Sequence, residues 1–258
     1  MISTTSAMCS IMTRGLATCA HALDDLVFPW SCVVCGSQGK TLQGPVCPQC
    51  RAELLAMAQS AGASACPRCA LPTGPRVSLA QGCSDCRGRS LGFDAALTLA
   101  PYAGTIRDLC LRLKHERDAW LAPWLGDLLA EARTAELARL PRDTWIAPVP
   151  LHWFRRLHRG YNQAEALALG LSKRLGLPIH QLLKRVRATD RLAHQKASKR
   201  IAAMRDAFSA RAGLCLEGRT ILLVDDILTT GATAGAAARA LKKAGAKRVV
   251  AVVLGRTV

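Results

Sequence analysis

From Phe93 onward the chain alternates short, continuously apolar runs with longer segments whose apolar residues recur every three or four positions. The apolar runs are "FDAALTLAPY" (93–102), "TWIAPVP" (144–150), "TILLVD" (220–225) and "RVVAVVLG" (248–255), which predict strands. Pro148 and Pro150 close the second of them. The helical period marks "GTIRDLCLRLKHE" (104–116), "WLAPWLGDLLAEARTAEL" (120–137), "YNQAEALALGLSKRLG" (161–176) and "GATAGAAARALKKAG" (231–245), with Gly176 ending the third. Strands that are apolar throughout have both faces covered. Strand, helix and strand in succession therefore predict an α/β fold, a parallel sheet with helices on both faces, over residues 91–258.

Before Phe93 the pattern differs. Residues 1–29 carry a weak helical period through Leu16, Leu23, Leu26 and Val27, stopped at Pro29, and read as an N-terminal helix or tail. Residues 30–90 have few large aliphatic residues and scattered Gly and Pro, too little to fold on apolar burial alone. They hold four CxxC pairs instead: Cys32 and Cys35, Cys47 and Cys50, Cys66 and Cys69, Cys83 and Cys86. Each CxxC turn points two thiolates at one ion, and two turns supply the four sulfurs of a structural zinc site. The spacing predicts a small double zinc ribbon with about two Zn²⁺, paired sequentially or interleaved. An iron–sulfur cluster is the competing reading. Four sulfurs on one ion leave no open position, so the module is structural or recognitional. Of the cysteines outside these pairs, Cys110 and Cys215 sit among apolar residues and are expected in the core.

The chemistry is expected at "ILLVDDILTTGAT" (221–233). Two adjacent carboxylates, Asp225 and Asp226, stand where a buried strand is expected to end, and unpaired they cost several kcal/mol, roughly, to desolvate. Thr229, Thr230 and Thr233 add hydroxyls, Gly231 permits a tight turn, and the helix start beyond it offers free amides to a phosphate. The Lys of a P-loop and the spacing of a dinucleotide fingerprint are both missing. Carboxylates ahead of a phosphate cradle suit a phosphosugar.

Over its thirteen residues this stretch resembles the phosphoribosyl pyrophosphate (PRPP) motif of type I phosphoribosyltransferases. Joined to a double zinc ribbon, it resembles the ComF family of competence-associated phosphoribosyltransferase-like proteins. That resemblance implies that Asp225 and Asp226 bind the ribose hydroxyls, and that Thr229, Thr230, Gly231, Ala232 and Thr233 wrap the 5′-phosphate. It further implies Mg²⁺ bound with PRPP, and transfer of the phosphoribosyl group to an unnamed acceptor. "PVPLHWFRRLHRGYNQA" (148–164) is also family-like, with Arg155, Arg156 and Arg159 on a loop at the pyrophosphate side and Lys114 as a further candidate. The stretch from Arg185 to Phe208 resembles the flap of the fold, with Leu192 and Ala203 departing from the Gln and Asn of the family pattern. The family also implies a role in DNA uptake or utilisation. The rival to a transferase is a PRPP-sensing or nucleic-acid-binding protein of that machinery.

The net charge of +17, reduced to roughly +13 if eight thiolates hold two Zn²⁺, favours polyanionic or phosphorylated partners, single-stranded DNA among them. Between Lys184 and Arg211 nine basic residues face two Asp, which fits either a backbone-binding stripe or a mobile flap. Aromatic residues are sparse there. No apolar run is long enough to span a bilayer and the start lacks a secretory pattern, so the expectation is a cytoplasmic protein without membrane insertion.

Overall fold

The computed structural model describes residues 31–38, 44–73, 82–186 and 206–258. The expected N-terminal helix and the centre of the expected flap, with Leu192 and Ala203, lie outside the described residues. Contacts divide the chain into two compact units, 1–53 and 54–258. The second cysteine set thus belongs to the same unit as the sheet. Between the two cysteine sets runs a helix the sequence reading did not expect, α1 (Pro48–Ala63).

The 54–258 unit is built on four strands, β1 (Ala95–Pro101), β2 (Trp145–Pro148), β5 (Thr220–Leu228) and β6 (Arg248–Arg256). Their order is β1-β6-β5-β2 and every pair is parallel, as the unalternated apolar runs predict. Val249 to Leu254 are all buried, with no polar position between them to face water. Helices α2 (Gly104–Arg112) and α7 (Ala232–Lys243) pack on β6, and α6 (Gln163–Leu175) packs on β2 and β5. Gly176 ends α6 in the left-handed conformation, φ 66°, where a side chain is strained.

The expected helix over 120–137 is broken. It forms α3 (Leu121–Ala132) and a single turn, α4 (Thr134–Leu137). At the break Thr134 Oγ1 donates to the carbonyls of Ala130 and Glu131, competing with the helical ladder, and Arg133 turns inward. Its guanidinium donates to the carbonyls of Thr98 and Leu99 on edge strand β1, at 2.7 and 3.1 Å, and of Ala58 at 2.7 Å. Those bonds shield the outer flank of the sheet.

Two further elements carry the edges of the flap stretch. β3 (Leu183–Arg185) pairs antiparallel with β4 (Phe208–Ala210), with Arg185 opposite Phe208. The Arg185 guanidinium lies 5.5 Å from the Phe208 ring centre.

Candidate functional site

Strand β5 does not end at the carboxylates. Its pairing with β2 stops at Pro148 and Val224, closed by the Val149 amide donating to the Val224 carbonyl. Its pairing with β6 continues through Asp225–Val253 to Leu228–Arg256. Asp225 and Asp226 therefore occupy a length of strand held on one flank while β2 has ended on the other. Apolar Ile227 and Leu228 and the long final strand keep the ladder going, which the visible DD break in the sequence conceals.

Both acids are part-buried. The Asp226 amide donates to Asp225 Oδ1 at 2.9 Å, and Gln163 Nε2 approaches Asp226 Oδ2 at 3.4 Å. Neither carboxylate has an ion-pair partner among the described residues. Burial, followed by the charge of Asp226, pushes the Asp225 carboxyl well above the ordinary range; Arg185 pulls it partly back. The Cys110 thiol, buried as expected, is also pushed up, by burial first and then by Asp226. Cys215, expected in the core, is exposed; its neighbour Leu216 takes the buried position.

Thr229 and Thr230 follow β5, Gly231 takes the N-cap of α7 with φ 77°, and Ala232 and Thr233 open that helix. The φ is one that only glycine adopts readily, and the Phe93 ring lies beneath it, 3.5 Å from where a Cβ would stand. Thr230 Oγ1 accepts from the Ala232 amide at 3.4 Å. A loop of hydroxyls at the start of a twelve-residue helix, beside two uncompensated carboxylates, offers donors to a phosphate and acceptors to a diol.

The basic candidates fare differently. Arg155, Arg156 and Arg159 sit on a short helix, α5 (Trp153–Arg159), and not on a loop; Gly160 ends it at φ 72°. The Arg155 side chain lies outside what is described. Arg156 is engaged by Glu165 at 3.1 and 3.3 Å. Arg159 and Lys114 line one open depression of about 340 Å³, together with His158 and Glu116. Lys114 lies just past the end of α2, and Tyr161 ties the two segments together by donating from its hydroxyl to the Leu113 carbonyl. Burial pushes that hydroxyl up to about 12.

Motif reading assigned no role to two contributors. Gln163, in the family-like "RGYNQ" run, is 3 % exposed, and its Oε1 has no hydrogen-bond partner beside Asp226. Arg256 is buried at the end of β6, where a lone charge closing an apolar strand was the available signal. It donates to the carbonyls of Leu228 at 3.1 Å and Thr229 at 2.5 Å.

The eight CxxC cysteines gather as two separate sets, Cys32, Cys35, Cys47, Cys50 and Cys66, Cys69, Cys83, Cys86. The pairing is sequential. Within each set all sulfurs lie within 4.8 Å of one another, and closest approaches are 3.5 to 3.8 Å. A tetrahedron with zinc–sulfur bonds of about 2.3 Å has edges of about 3.8 Å, so both sets fit Zn²⁺. Burial resists ionisation of Cys32 and Cys66, yet backbone amides donating to their sulfurs outweigh it and lower them to about 6 and about 7.

Comparison with known proteins accords with this arrangement. The phosphoribosyl transferase domain model matches residues 161–256 and the double zinc ribbon domain model residues 23–87. Competence protein F of Haemophilus influenzae is 31% identical over 176 residues, covering 66% of this chain and 76% of that protein. DNA utilization protein YhgH of Salmonella typhi is 31% identical over 235 residues, covering 90% and 99%. Competence protein ComFC of Streptococcus pneumoniae is 26% identical over 235 residues, covering 84% and 96%. With a parallel α/β sheet, two four-sulfur sets and relatives 31% identical that are matched over 76 to 99% of their length, the chain belongs to the ComF family.

Proposed function

We propose that the chain binds Mg²⁺-PRPP on β5 and the loop after it and transfers the phosphoribosyl group within DNA utilisation. The observation that carries this reading is the carboxylate pair without an ion-pair partner among the described residues, set directly before the Thr229–Thr233 loop in a domain that matches the phosphoribosyl transferase model. Asp225 and Asp226 accept hydrogen bonds from the ribose 2′ and 3′ hydroxyls. The loop hydroxyls and the first amides of α7 donate to the 5′-phosphate. Gln163, with its unpartnered Oε1, orients Asp226 and accepts from the sugar.

Among the described residues, the clusters able to hold a metal are the two cysteine sets. Mg²⁺ would enter with PRPP, held mainly by substrate oxygens as this ion favours, and would offset the charge of the pyrophosphate. In the transfer step the bond from C1 to the pyrophosphate oxygen breaks, its electron pair leaves with pyrophosphate, and an acceptor nucleophile bonds to C1. The neighbouring carboxylates stabilise the positive charge developing on the ring. Lys114 and Arg159 line one depression, and in this reading their charges serve the pyrophosphate.

The test is calorimetry with PRPP and Mg²⁺ on wild type and Asp226→Ala. A hydrogen bond to a charged group is worth about 1.5–3 kcal/mol, so the variant is expected to bind roughly 10- to 150-fold more weakly. Absence of binding by the wild type overturns the proposal. A pyrophosphate-release screen over nucleobases and single-stranded DNA then identifies the acceptor.

A second reading, a PRPP-responsive protein that binds nucleic acid without transfer, is favoured by α5. Trp153, Phe154 and Leu157 on that helix are 69, 54 and 78% exposed, among basic residues. Exposed rings interleaved with Arg provide the base-stacking platform that the 184–211 stretch lacks. PRPP binding without pyrophosphate release for any acceptor decides for this reading.

A further inference from the structure

Three contacts join the second cysteine set, or the segment that leaves it, to the candidate phosphate loop and the helix after it, all inside the 54–258 unit. The first is Arg256. Its Nε donates to the Cys69 carbonyl at 2.8 Å while Nη1 donates to Leu228 at 3.1 Å and Thr229 at 2.5 Å. One rigid, 6% exposed guanidinium thus holds the CxxC turn of a sulfur ligand and the last residues before Gly231.

The second contact is backbone on backbone. A Cβ on Gly235, in the first turn of α7, would come within 2.3 Å of the Leu91 carbonyl, and one on Gly92 within 2.4 Å of the Gly235 carbonyl. The segment leaving Cys86 therefore lies directly against the helix that follows the loop, and Leu91 also packs on the four cysteines. The third is Phe93, whose ring sits beneath Gly231.

We infer that the second four-cysteine site positions the phosphate loop through Arg256, so that metal occupancy of Cys66, Cys69, Cys83 and Cys86 and binding of a phosphate at residues 229–233 are thermodynamically coupled. This rests on the PRPP reading for the identity of the ligand. The physical basis is that four sulfurs on one ion fix the Cys66–Cys69 turn, which fixes the Cys69 carbonyl and the orientation of the guanidinium. The guanidinium in turn fixes the carbonyls of Leu228 and Thr229. Without the ion the two CxxC turns lose their common centre, and Arg256 loses one of its anchors. Arg256 is a positioning residue: its bonds go to backbone carbonyls, and it acts on the phosphate through them.

Coupling is reciprocal, which gives a readout independent of activity. In Cys35→Ser protein, where the first set is broken, a chromogenic chelator reads zinc at the second site. Saturating Mg²⁺-PRPP is expected to tighten that zinc roughly fivefold or more, the low end of measured couplings, and removal of the zinc is expected to weaken PRPP by the same factor. In Cys35→Ser with Arg256→Lys, which keeps the charge and loses the fork, the mutual effect is expected to fall toward one while each ligand still binds. A variant that merely destabilised the fold would lower both affinities and leave their ratio intact. Equal zinc affinity with and without PRPP, in protein that binds PRPP, overturns the inference. If the wild type binds no PRPP, the functional reading fails on its own, and amide exchange at residues 228–233 judges the tie. Faster exchange on zinc removal supports it; unchanged exchange overturns it.

Discussion

Asp225 is set at odds with the stability of its own fold. Burial and the Asp226 charge raise its carboxyl well above the ordinary range, so its ionisation opposes folding. Because the folded value is raised above the unfolded value of about 3.9, the stability it contributes is fully present below that unfolded value and is lost as pH rises through the folded one. The melting temperature of ligand-free wild type is expected to fall from pH 5 to pH 8 more steeply than that of Asp225→Asn, and the variant is expected to melt higher at pH 8. PRPP affinity should run the other way. Hydroxyl donors and Mg²⁺ favour the carboxylate, so wild-type affinity rises with pH over the same window while that of the variant stays low and flat. Thermal melts and calorimetry at a series of pH values measure both. The need for these two acids is legible in the residues themselves, since adjacent carboxylates beside a hydrophobic run ask for a ligand. That Gln163 stands 63 positions away with an amide on Asp226 is not legible, because the contact exists only after α6 has packed on β5.

At the scale of elements, the apolar runs and helical periods located all four strands of the sheet and the helices before and after them, and the errors share a cause. Where a segment's boundary depends on neighbours, pattern alone misplaced it. β5 runs past its carboxylates because β6 continues beside it to Arg256, and the 120–137 helix breaks because Arg133 finds three carbonyls inside. Helix α5 was expected as a loop, since seven residues with two aromatic and four basic side chains have no helical stripe to bury. Its exposed face gives a test at the same scale. Stacking of a base on an aromatic ring is worth about 1–3 kcal/mol, so Trp153→Ala is expected to weaken single-stranded DNA binding roughly 5- to 150-fold and to leave PRPP affinity unchanged. Binding titrations over a range of salt separate this loss from the electrostatic contribution. Equal DNA affinity of variant and wild type would remove α5 from the interface.

For the whole molecule, the second cysteine set and the sheet belong to one unit, 54–258, and the first set belongs to the other. Elemental analysis after gentle purification is expected to find two Zn²⁺ per chain, and one in Cys35→Ser. No helix among the described residues is long and apolar enough to cross a membrane. The expectation of polyanionic or phosphorylated partners rests on the excess of basic residues, whose field acts at a distance that no fold is needed to define. The α/β class, the four CxxC pairs and the candidate stretch at residues 221–233 were legible in the sequence alone, because each rests on local spacing: two residues between cysteines, four apolar positions before two acids, a glycine where the turn requires positive φ. The tertiary structure decided how the cysteines pair, that Arg156 is held by Glu165, and that Arg256 joins the backbone of Cys69 to that of Thr229. Such contacts link residues up to 187 positions apart, and their existence depends on which backbones the packed sheet brings together.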